Sequence, residues 1–387
     1  MGEMAGATVA VGLGRRTFLA TAGAAALTAP YGLAAQRRQA PLIVNALGSL
    51  SDPNEDDSRE EEGLEARRRI APRLIADARS SGVSAINITL GYVSGDSEPF
   101  EKSVRDIGRW DARIRNHSAD LLKVLTAADL LHAQAARRIG LIYGFQNAVM
   151  LGDDVTRVDS FADLGVRVIQ LTYNPANRLG DGSMAPANRG LTAFGRKVVE
   201  RLNMNRIMVD LSHSGERTCL EAARISKHPI SVNHTGCRAL VDLPRNKTDE
   251  ELRLVASRGG FVGIYFMPFL SADSNASAAD VVAHIDHSVN VCGEDHVGIG
   301  TDGPISAVID MDAYRRRIRT QVAARKSAGI GARGENPDTI PMVADLQGPG
   351  QFERLAGLLR KRGYREARIE KILGGNFLSY ARLVWGG

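Results

Sequence analysis

Cysteine is scarce in this sequence. Only three of its 387 residues are cysteine, namely Cys219, Cys237 and Cys292. Their number is odd and none lies in a C-x-x-C motif, so neither a disulfide framework nor a structural zinc site is expected. We predict that all three are buried and serve as small apolar side chains.

Clustered positive charge and aromatic residues are also lacking. Aromatic residues make up 5% of the chain, and its 49 Lys and Arg residues are scattered among 44 Asp and Glu residues, for a net charge of +5. A nucleic-acid-binding surface needs basic residues gathered on one face or along one helix. We therefore expect no nucleic-acid partner.

Long apolar runs are missing except near the N-terminus. There the twin-arginine sequence GRRTFL (14–19) is followed by an Ala-rich apolar run (20–33) and a small-residue stretch (33–35). These are the parts of a Tat export signal. The alternative is a membrane anchor, but the run is shorter than the ~20 residues of a spanning helix. We predict a Tat-type signal peptide over residues 1–35, which is removed to leave a periplasmic protein without a stable membrane span.

The remainder has a globular composition, with 44% hydrophobic and 24% charged residues. Eight apolar runs of six to eight residues, most of them rich in Val and Ile, are typical of strands buried on both faces of a parallel sheet. These runs are Leu42–Leu47, Ser84–Leu90, Leu141–Gln146, Val166–Tyr173, Arg206–His213, Pro229–Thr235, Gly260–Phe266 and His296–Asp302.

Helical patterns occupy most of the gaps between these runs, for example over Leu64–Ser80, Ala119–Arg138 and Asp249–Ser257. Eight alternating strand and helix units predict a single α/β domain over residues 40–387, a (β/α)₈ TIM barrel. A doubly wound open sheet is the alternative. The segments Gly91–Asn116 and Ala307–Gly348 are interpreted as long βα loops or lids.

Catalytic residues of such a barrel lie where its strands end. The residues at the ends of the eight runs are Leu47, Leu90, Gln146, Tyr173, His213, His234, Phe266 and Asp302. Two histidines on adjacent strands, together with a strand-terminal aspartate, favour divalent-metal or acid–base chemistry.

Two other motifs point elsewhere but lack the required context. Val297–Gly303 contains G-x-G-x-x-G after a strand, yet Pro304 follows at once and no helix is expected there, so dinucleotide binding is not predicted. Ser212 and His213 are neighbours at a strand end and would point to opposite faces, so they would not form a nucleophile–base pair.

Long segments of the second half resemble the membrane (renal) dipeptidase family. They are FGRKVVERLN, MVDLSH, SVNHTGCRAL, LPRNKTDEELRLVASRGGFVGI, HIDHSVNVCGEDHVGIGTD and the C-terminal KILGGNFLSYARLVW. Weaker similarity extends back to about Leu42. The resemblance implies a TIM barrel and a metal-dependent hydrolase of dipeptides or related small amides.

The resemblance also assigns roles to individual residues. His213 and His234 match two histidine ligands of one metal position, and Asp302 matches an aspartate that binds metal and carries a proton. Arg245 matches the arginine that receives the substrate carboxylate, a task that suits its two-pronged guanidinium.

Four positions depart from the family pattern. Leu47 and Ser49 replace a His-x-Asp ligand pair, Gln146 replaces a bridging glutamate, and Tyr173 replaces a histidine that contacts substrate. Two divalent ions ~3.5–4 Å apart repel each other and need an anionic bridge, which a glutamine does not supply.

We therefore predict a reduced centre with one divalent ion, most simply Zn²⁺, bound by His213, His234 and Gln146. Asp302 would move the proton, and Tyr173 would donate a hydrogen bond to the developing oxyanion. The rival hypothesis is a catalytically impaired barrel that binds a small ligand bearing a carboxylate. Members of the family are often dimers, so a homodimer is a further expectation.

Overall fold

A parallel sheet organises the chain, which we describe from a computed structural model at residues 40–55, 68–94 and 98–386. Its strands run in the order β1-β2-β4-β5-β6-β7-β8-β9, and every pairing is parallel. The strands are β1 Val44–Gly48, β2 Ala85–Thr89, β3 Leu121–Lys123, β4 Ile139–Phe145, β5 Val166–Gln170, β6 Met208–Asp210, β7 Ser231–Thr235, β8 Phe261–Ile264 and β9 Val297–Ile299. Each of the eight predicted runs overlaps one of these strands.

The sheet closes between its first and last strands. The Asp302 N–H donates to the Leu47 carbonyl (2.9 Å), and the Ser49 N–H donates to the Gly303 carbonyl (3.1 Å). Ser49 also forms a parallel bridge with Pro304. The (β/α)₈ barrel is thus confirmed, and the alternative of an open doubly wound sheet is wrong.

A ninth strand, β3, was missed because the helical pattern was extended over Ala119–Arg138. β3 pairs with the first half of β4, through Leu121↔Ile139 to Lys123↔Leu141. The helix begins only after Thr126, whose side chain forms a capping box with Asp129. A three-residue strand is too short to show a period of two, so the sequence pattern could not separate it from the helix that follows.

Helices surround the barrel and carry the apolar faces that the periodicity predicts. They are α1 Pro72–Ser80, α2 Pro99–Asn116, α3 Ala127–Ala136, α4 Arg157–Asp163, α5 Ala193–Met204, α6 Glu216–Ile225, α7 Asp249–Ser257, α8 Ala278–Cys292, α9 Met311–Ser327, α10 Gln351–Lys361, α11 Glu366–Glu370 and α12 Asn376–Trp385. Three short 3₁₀ turns, Val149–Leu151, Pro268–Leu270 and Ala344–Leu346, and one π-helical turn, Lys371–Gly375, complete the described elements.

The two segments interpreted as loops contain helices. The insert after β2 holds the 18-residue α2, which starts at Pro99 and buries Ile107 and Trp110. The segment after β9 holds the 17-residue α9, whose N-terminal amides are capped by the Asp310 side chain. In both cases a proline or capping residue set the helix start, and these signals were overlooked because the surrounding sequence is strongly polar.

The N-terminal end of the barrel is apolar and sealed by the last helix. Phe377 and Tyr380 of α12 pack in one cluster with the first residues of several strands, including Val44 and Phe261. The Phe261 and Phe377 rings meet edge to face, with centroids 5.3 Å apart. The polar residues at the strand ends lie at the opposite, C-terminal end of the barrel.

A layer of amide side chains lies beneath those strand ends. Asn87 Oδ1, Gln170 Oε1 and both amide atoms of Asn233 are buried without a hydrogen-bond partner among the described residues. A glycine makes room for part of this layer, because a Cβ atom at Gly144 would lie 2.2 Å from Asn87 Oδ1. The bulky branched side chains that usually fill a TIM barrel are thus replaced here by polar groups.

The remaining global predictions concern cysteine, export and membranes. All three cysteines are free and buried, as predicted. None of the described helices has the length and apolar character needed to cross a membrane. The predicted signal segment, residues 1–35, lies outside the described residues.

Candidate metal and substrate site

Two buried histidines lie together at the ends of adjacent strands. His213 follows β6 and His234 lies within β7, and their side chains are 4% and 0% exposed. Their ring centroids are 5.0 Å apart. The structure therefore brings together the two residues that the sequence predicts as metal ligands.

Asp210 and Ser212 shape the backbone that carries these histidines. Asp210 Oδ1 accepts hydrogen bonds from the Ser212 hydroxyl (2.5 Å) and from the Asn233 N–H (3.0 Å). The Ser212 hydroxyl oxygen in turn accepts the His234 N–H (3.1 Å). The side chains of Asp210 and Ser212 thus supply the hydrogen bonds to the β7 backbone beyond Asp210↔Ser231, the one residue pair at which β6 and β7 are paired. Ser212 serves this backbone role and does not pair with the His213 ring.

Burial keeps both imidazoles neutral. It lowers the pKa of His213 and of His234 well below 6.5, and the positive charge of Arg245 lowers both further. Nε2 of His213 and both ring nitrogens of His234 have no hydrogen-bond partner among the described residues. Buried polar atoms are rarely left unpaired, and neutral imidazole nitrogens are preferred ligands of Zn²⁺. These atoms therefore fit a divalent ion.

A third strong ligand does not join the pair. Within the described segments, no three His, Cys, Asp or Glu side chains are grouped so that they could hold a metal ion. Gln146, two strands away, donates its amide N–H to Thr89 Oγ1 (2.7 Å). Its other amide atom, the oxygen, is the one that could act as a neutral ligand.

Asp302 lies just past β9, at the same end of the barrel as the two histidines. Burial raises the pKa of its carboxyl to about 7, with Arg245 acting against this shift and Asp210 adding to it. Its φ of 57° is in the left-handed region, which aspartate tolerates better than most residues. The same turn places its N–H on the Leu47 carbonyl, so the residue that presents the carboxylate also closes the barrel.

Tyr173 covers His213 from the β5 side. The two rings stack with centroids 4.2 Å apart and planes inclined by 25°. Burial, aided by the charge of Asp302, raises the pKa of Tyr173 to about 12. The phenol is consequently protonated near neutral pH and available as a hydrogen-bond donor.

Arg245 and Lys247 bind the backbone on either side of His213. Arg245 Nη1 donates to the Ser212 carbonyl (2.5 Å), and Lys247 Nζ donates to the Ser214 carbonyl (2.5 Å). Both side chains are almost fully buried, and Lys247 Nζ also lies 3.1 Å from Glu251 Oε1. The predicted carboxylate-binding arginine thus has a second task, because one of its N–H groups already holds the histidine segment in place.

Two of the positions that depart from the dipeptidase pattern, Leu47 and Ser49, lie at or just after the end of β1. Leu47 is 3% exposed and its carbonyl is used to close the barrel. The Ser49 hydroxyl lies 2.8 Å from the Ser51 hydroxyl. Neither side chain offers a histidine or carboxylate ligand, as the sequence indicates.

Sequence reasoning missed Asn174 and Lys247. Asn174 Oδ1 lies 2.7 Å from Nδ1 of His213. Its position immediately after Tyr173 was the only available signal, and Lys247 was visible only as part of the RNKTDEE segment. Conversely, His284 is structural: its Nδ1 accepts the Cys237 N–H (2.8 Å), and its Nε2 lies 3.1 Å from the Leu270 carbonyl.

A parallel barrel with neutral histidines at the ends of adjacent strands belongs to the metallo-dependent hydrolase class. Residues 73–313 match the family model described as membrane dipeptidase (peptidase family M19). The chain is therefore a member of the membrane dipeptidase family, a family of dipeptidase-like metallopeptidases.

Individual relatives agree with this assignment. An uncharacterized protein from the pqqA 5′ region of Klebsiella pneumoniae is 30% identical over 70% of this chain and 91% of its own length. Dipeptidase 3 of Rattus norvegicus is 29% identical over 68% of this chain and 48% of its own. The crystal structure of an amidohydrolase from Pseudomonas aeruginosa is 30% identical, with a TM-score of 0.75 over 90% of this chain and 97% of that one. The chain spans about half the length of the curated dipeptidases it matches.

Proposed function

We propose that this protein is a metal-dependent hydrolase of dipeptides or related small amides, and that it works with one ion rather than two. The observation that carries this proposal is the pair of buried, neutral histidines, three of whose ring nitrogens have no partner among the described residues. Family membership supports the reaction class. The neutral replacements at Leu47, Ser49 and Gln146 argue for a single ion.

His213, His234 and the Gln146 amide oxygen would hold that ion, with water completing its shell. A bound Zn²⁺ supplies Lewis-acid polarisation of the substrate carbonyl. The Arg245 guanidinium, which has donors left beyond the one on Ser212, binds the substrate carboxylate. Asp302 accepts and returns the proton, and the Tyr173 hydroxyl donates to the carbonyl oxygen as negative charge develops there.

The proposed setting is the bacterial periplasm, reached through the Tat-type signal over residues 1–35. Tat substrates fold before export, so the ion can be loaded in the cytoplasm. A homodimer stays a prediction based on the family resemblance.

The test is elemental analysis combined with a panel of L,L and L,D dipeptides. We expect about one zinc per chain and measurable turnover, and we expect His213→Ala and His234→Ala to lose both. His287→Ala is the matched control, because His287 lies on α8 and pairs with Asp249 away from the site. Protein that contains less than about 0.1 metal per chain after zinc loading and turns over no dipeptide would contradict the proposal.

A binding protein without catalysis is the second candidate function. It is favoured by the lack of a third His, Cys, Asp or Glu near the two histidines in the described part of the chain. Calorimetry with dipeptides and small carboxylates distinguishes the two. Binding that Arg245→Met abolishes, in a protein with neither metal nor turnover, would support this candidate instead.

A further inference from the structure

We propose that Asn174 is a positioning residue that selects the tautomer of His213 and couples it to the segment that follows α9. The proposal deepens the proposed function, since the selected tautomer is the one able to bind metal. It rests on a chain of two hydrogen bonds between Ile330, Asn174 and His213.

The first bond fixes the orientation of the Asn174 amide. Nδ2 of Asn174 donates to the Ile330 carbonyl (2.9 Å). A carbonyl oxygen accepts but cannot donate, so the amide nitrogen must face Ile330. The amide oxygen must therefore face the other way, toward His213.

The second bond then fixes the proton on the imidazole. Asn174 Oδ1 lies 2.7 Å from Nδ1 of His213, and an amide oxygen can only accept. Nδ1 must therefore carry the hydrogen. In the neutral ring the lone pair is then on Nε2, the buried nitrogen that has no partner among the described residues.

Backbone contacts hold both residues in this arrangement. The Ser183 N–H donates to the His213 carbonyl (2.7 Å), and the Met184 N–H donates to the Asn174 carbonyl (2.9 Å). Asn174 is 3% exposed, so water does not compete readily for its amide. Neither residue can swing away from the other without breaking these bonds.

The other end of this chain of two hydrogen bonds is Ile330, in a segment far from Asn174 in the sequence. Ile330 lies just after α9, and the chain beyond it is fixed by the Arg325–Glu335 ion pair, with Nε of Arg325 2.9 Å from Glu335 Oε1. The Ser274 hydroxyl also donates to the Gly334 carbonyl (2.9 Å). If this segment moved away, the Asn174 amide could turn over and present Nδ2 to Nδ1 of His213. The ring proton would then be on Nε2, and Nε2 would have no lone pair for a metal.

Docking of the segment that follows α9 thus prepares His213 for metal binding. Substituting a hydrogen-bonded neighbour of a metal-binding histidine typically weakens metal affinity 10–100-fold. Asn174→Asp separates the hydrogen bond to His213 from the hydrogen bond to Ile330. The carboxylate still accepts from Nδ1 but has no N–H to offer to Ile330.

The experiment measures the tautomer directly, by ¹⁵N NMR of the imidazole nitrogens in metal-free protein labelled at histidine, together with zinc affinity. In the wild type we expect His213 to be protonated at Nδ1. Asn174→Ala should lose this preference and bind zinc about 10–100-fold more weakly. Asn174→Asp should keep the tautomer and stay within a few-fold of wild-type affinity.

Asn177→Ala is the matched control, since Asn177 lies in the same loop and bonds Asn147 and the Leu171 carbonyl without touching His213. It should leave both readouts unchanged. An Nε2-protonated His213 in the wild type, an unchanged tautomer in Asn174→Ala, or a lost tautomer in Asn174→Asp would each overturn the proposal. Because the tautomer is read without metal, a protein that binds no zinc would refute the proposed function and leave this result standing.

Discussion

The two halves of the barrel mouth differ in whether the polar side chains at their strand ends have hydrogen-bond partners. In the first half, at the ends of β1, β2, β4 and β5, Leu47 is apolar and Gln146 is bonded to Thr89. In the second half, formed by β6 to β9, His213 and His234 keep three nitrogens without a partner among the described residues. The amide layer beneath contains unpartnered atoms in both halves, so the contrast is confined to the strand ends.

Charge follows the same division. Arg245 and Lys247 bind carbonyls on both sides of His213 and thereby place two buried cations in the second half. Away from the mouth, on β3, Lys123 pairs with Asp111 at a more exposed position. The contacts that hold His213 in the second half are therefore present even though the first half offers no histidine or carboxylate ligand.

Removing the buried cation should have the largest effect. Lys247→Met leaves Glu251 as an unpaired buried charge, and breaking such a pair costs about 3–5 kcal/mol. We expect this loss in the free energy of unfolding, measured by denaturant titration. The comparison variant Lys123→Met, on β3, should cost less than about 1 kcal/mol, because its ion pair with Asp111 is partly exposed.

The double variant Lys247→Met/Glu251→Gln is the control. It removes both charges, and glutamine can retain the capping box with Thr248. Most of the lost stability should return. Equal losses in the single and double variants would show that packing of the lysine chain, not its charge, supports the second half.

Acid should weaken the folded state in part through His284, in addition to the two site histidines, whose pKa values burial also lowers. Burial lowers the pKa of His284 from 6.5 to about 4, so this group binds fewer protons in the folded state than in the unfolded state in this range. Its own contribution to stability is full above about pH 6.5 and falls as the pH drops toward 4, by about 2 kcal/mol at pH 5. Protonation breaks the bond that Nδ1 accepts from the Cys237 N–H, in the loop that carries Arg245.

Unfolding of the wild type and His284→Asn at pH 7 and pH 5 measures this effect. Between pH 7 and pH 5 the free energy of unfolding should fall by about 2 kcal/mol less in the variant than in the wild type. Ser288→Ala, which removes a hydroxyl next to Cys237 Sγ in the same cluster, should change stability equally at both pH values. A wild type and His284→Asn that lose the same stability on acidification would rule His284 out as an acid-sensitive group.

The sequence predicts the barrel and the placement of the second-half residues at its mouth, for an identifiable physical reason. Buried parallel strands are continuous apolar runs, and the residue that ends each run lies at the mouth of the barrel. His213, His234 and Asp302 were found by this rule alone. The resemblance to the dipeptidases added Arg245, which lies in a loop and ends no strand.

What the sequence could not predict depends on contacts between distant segments. The Ile330 carbonyl and Asn174 are 156 positions apart, and no local sequence pattern predicts their hydrogen bond. The same holds for Lys247, whose partner Ser214 is 33 positions away. β3 was missed for the opposite reason, since three residues carry too little periodicity to compete with a helix start next to them.

Gln146→Glu tests whether the first half can be brought back toward metal binding, and it should have the smallest effect of the three. A carboxylate in place of the amide adds a negative charge near the two histidines while Thr89, whose hydroxyl can donate as well as accept, keeps its hydrogen bond. We expect about tenfold tighter zinc binding, equivalent to about 1.4 kcal/mol, by competition with a chelator.

Gln146→Met, which is neutral and similar in size, should give no such gain. The expected stoichiometry stays at one ion, because Leu47 and Ser49 still offer no ligands to a second. Two ions per chain in Gln146→Glu would contradict this and would mean that a single carboxylate is enough to rebuild the first half. An affinity equal to that of the methionine variant would instead place Gln146 outside the coordination shell and leave the metal to the second half alone.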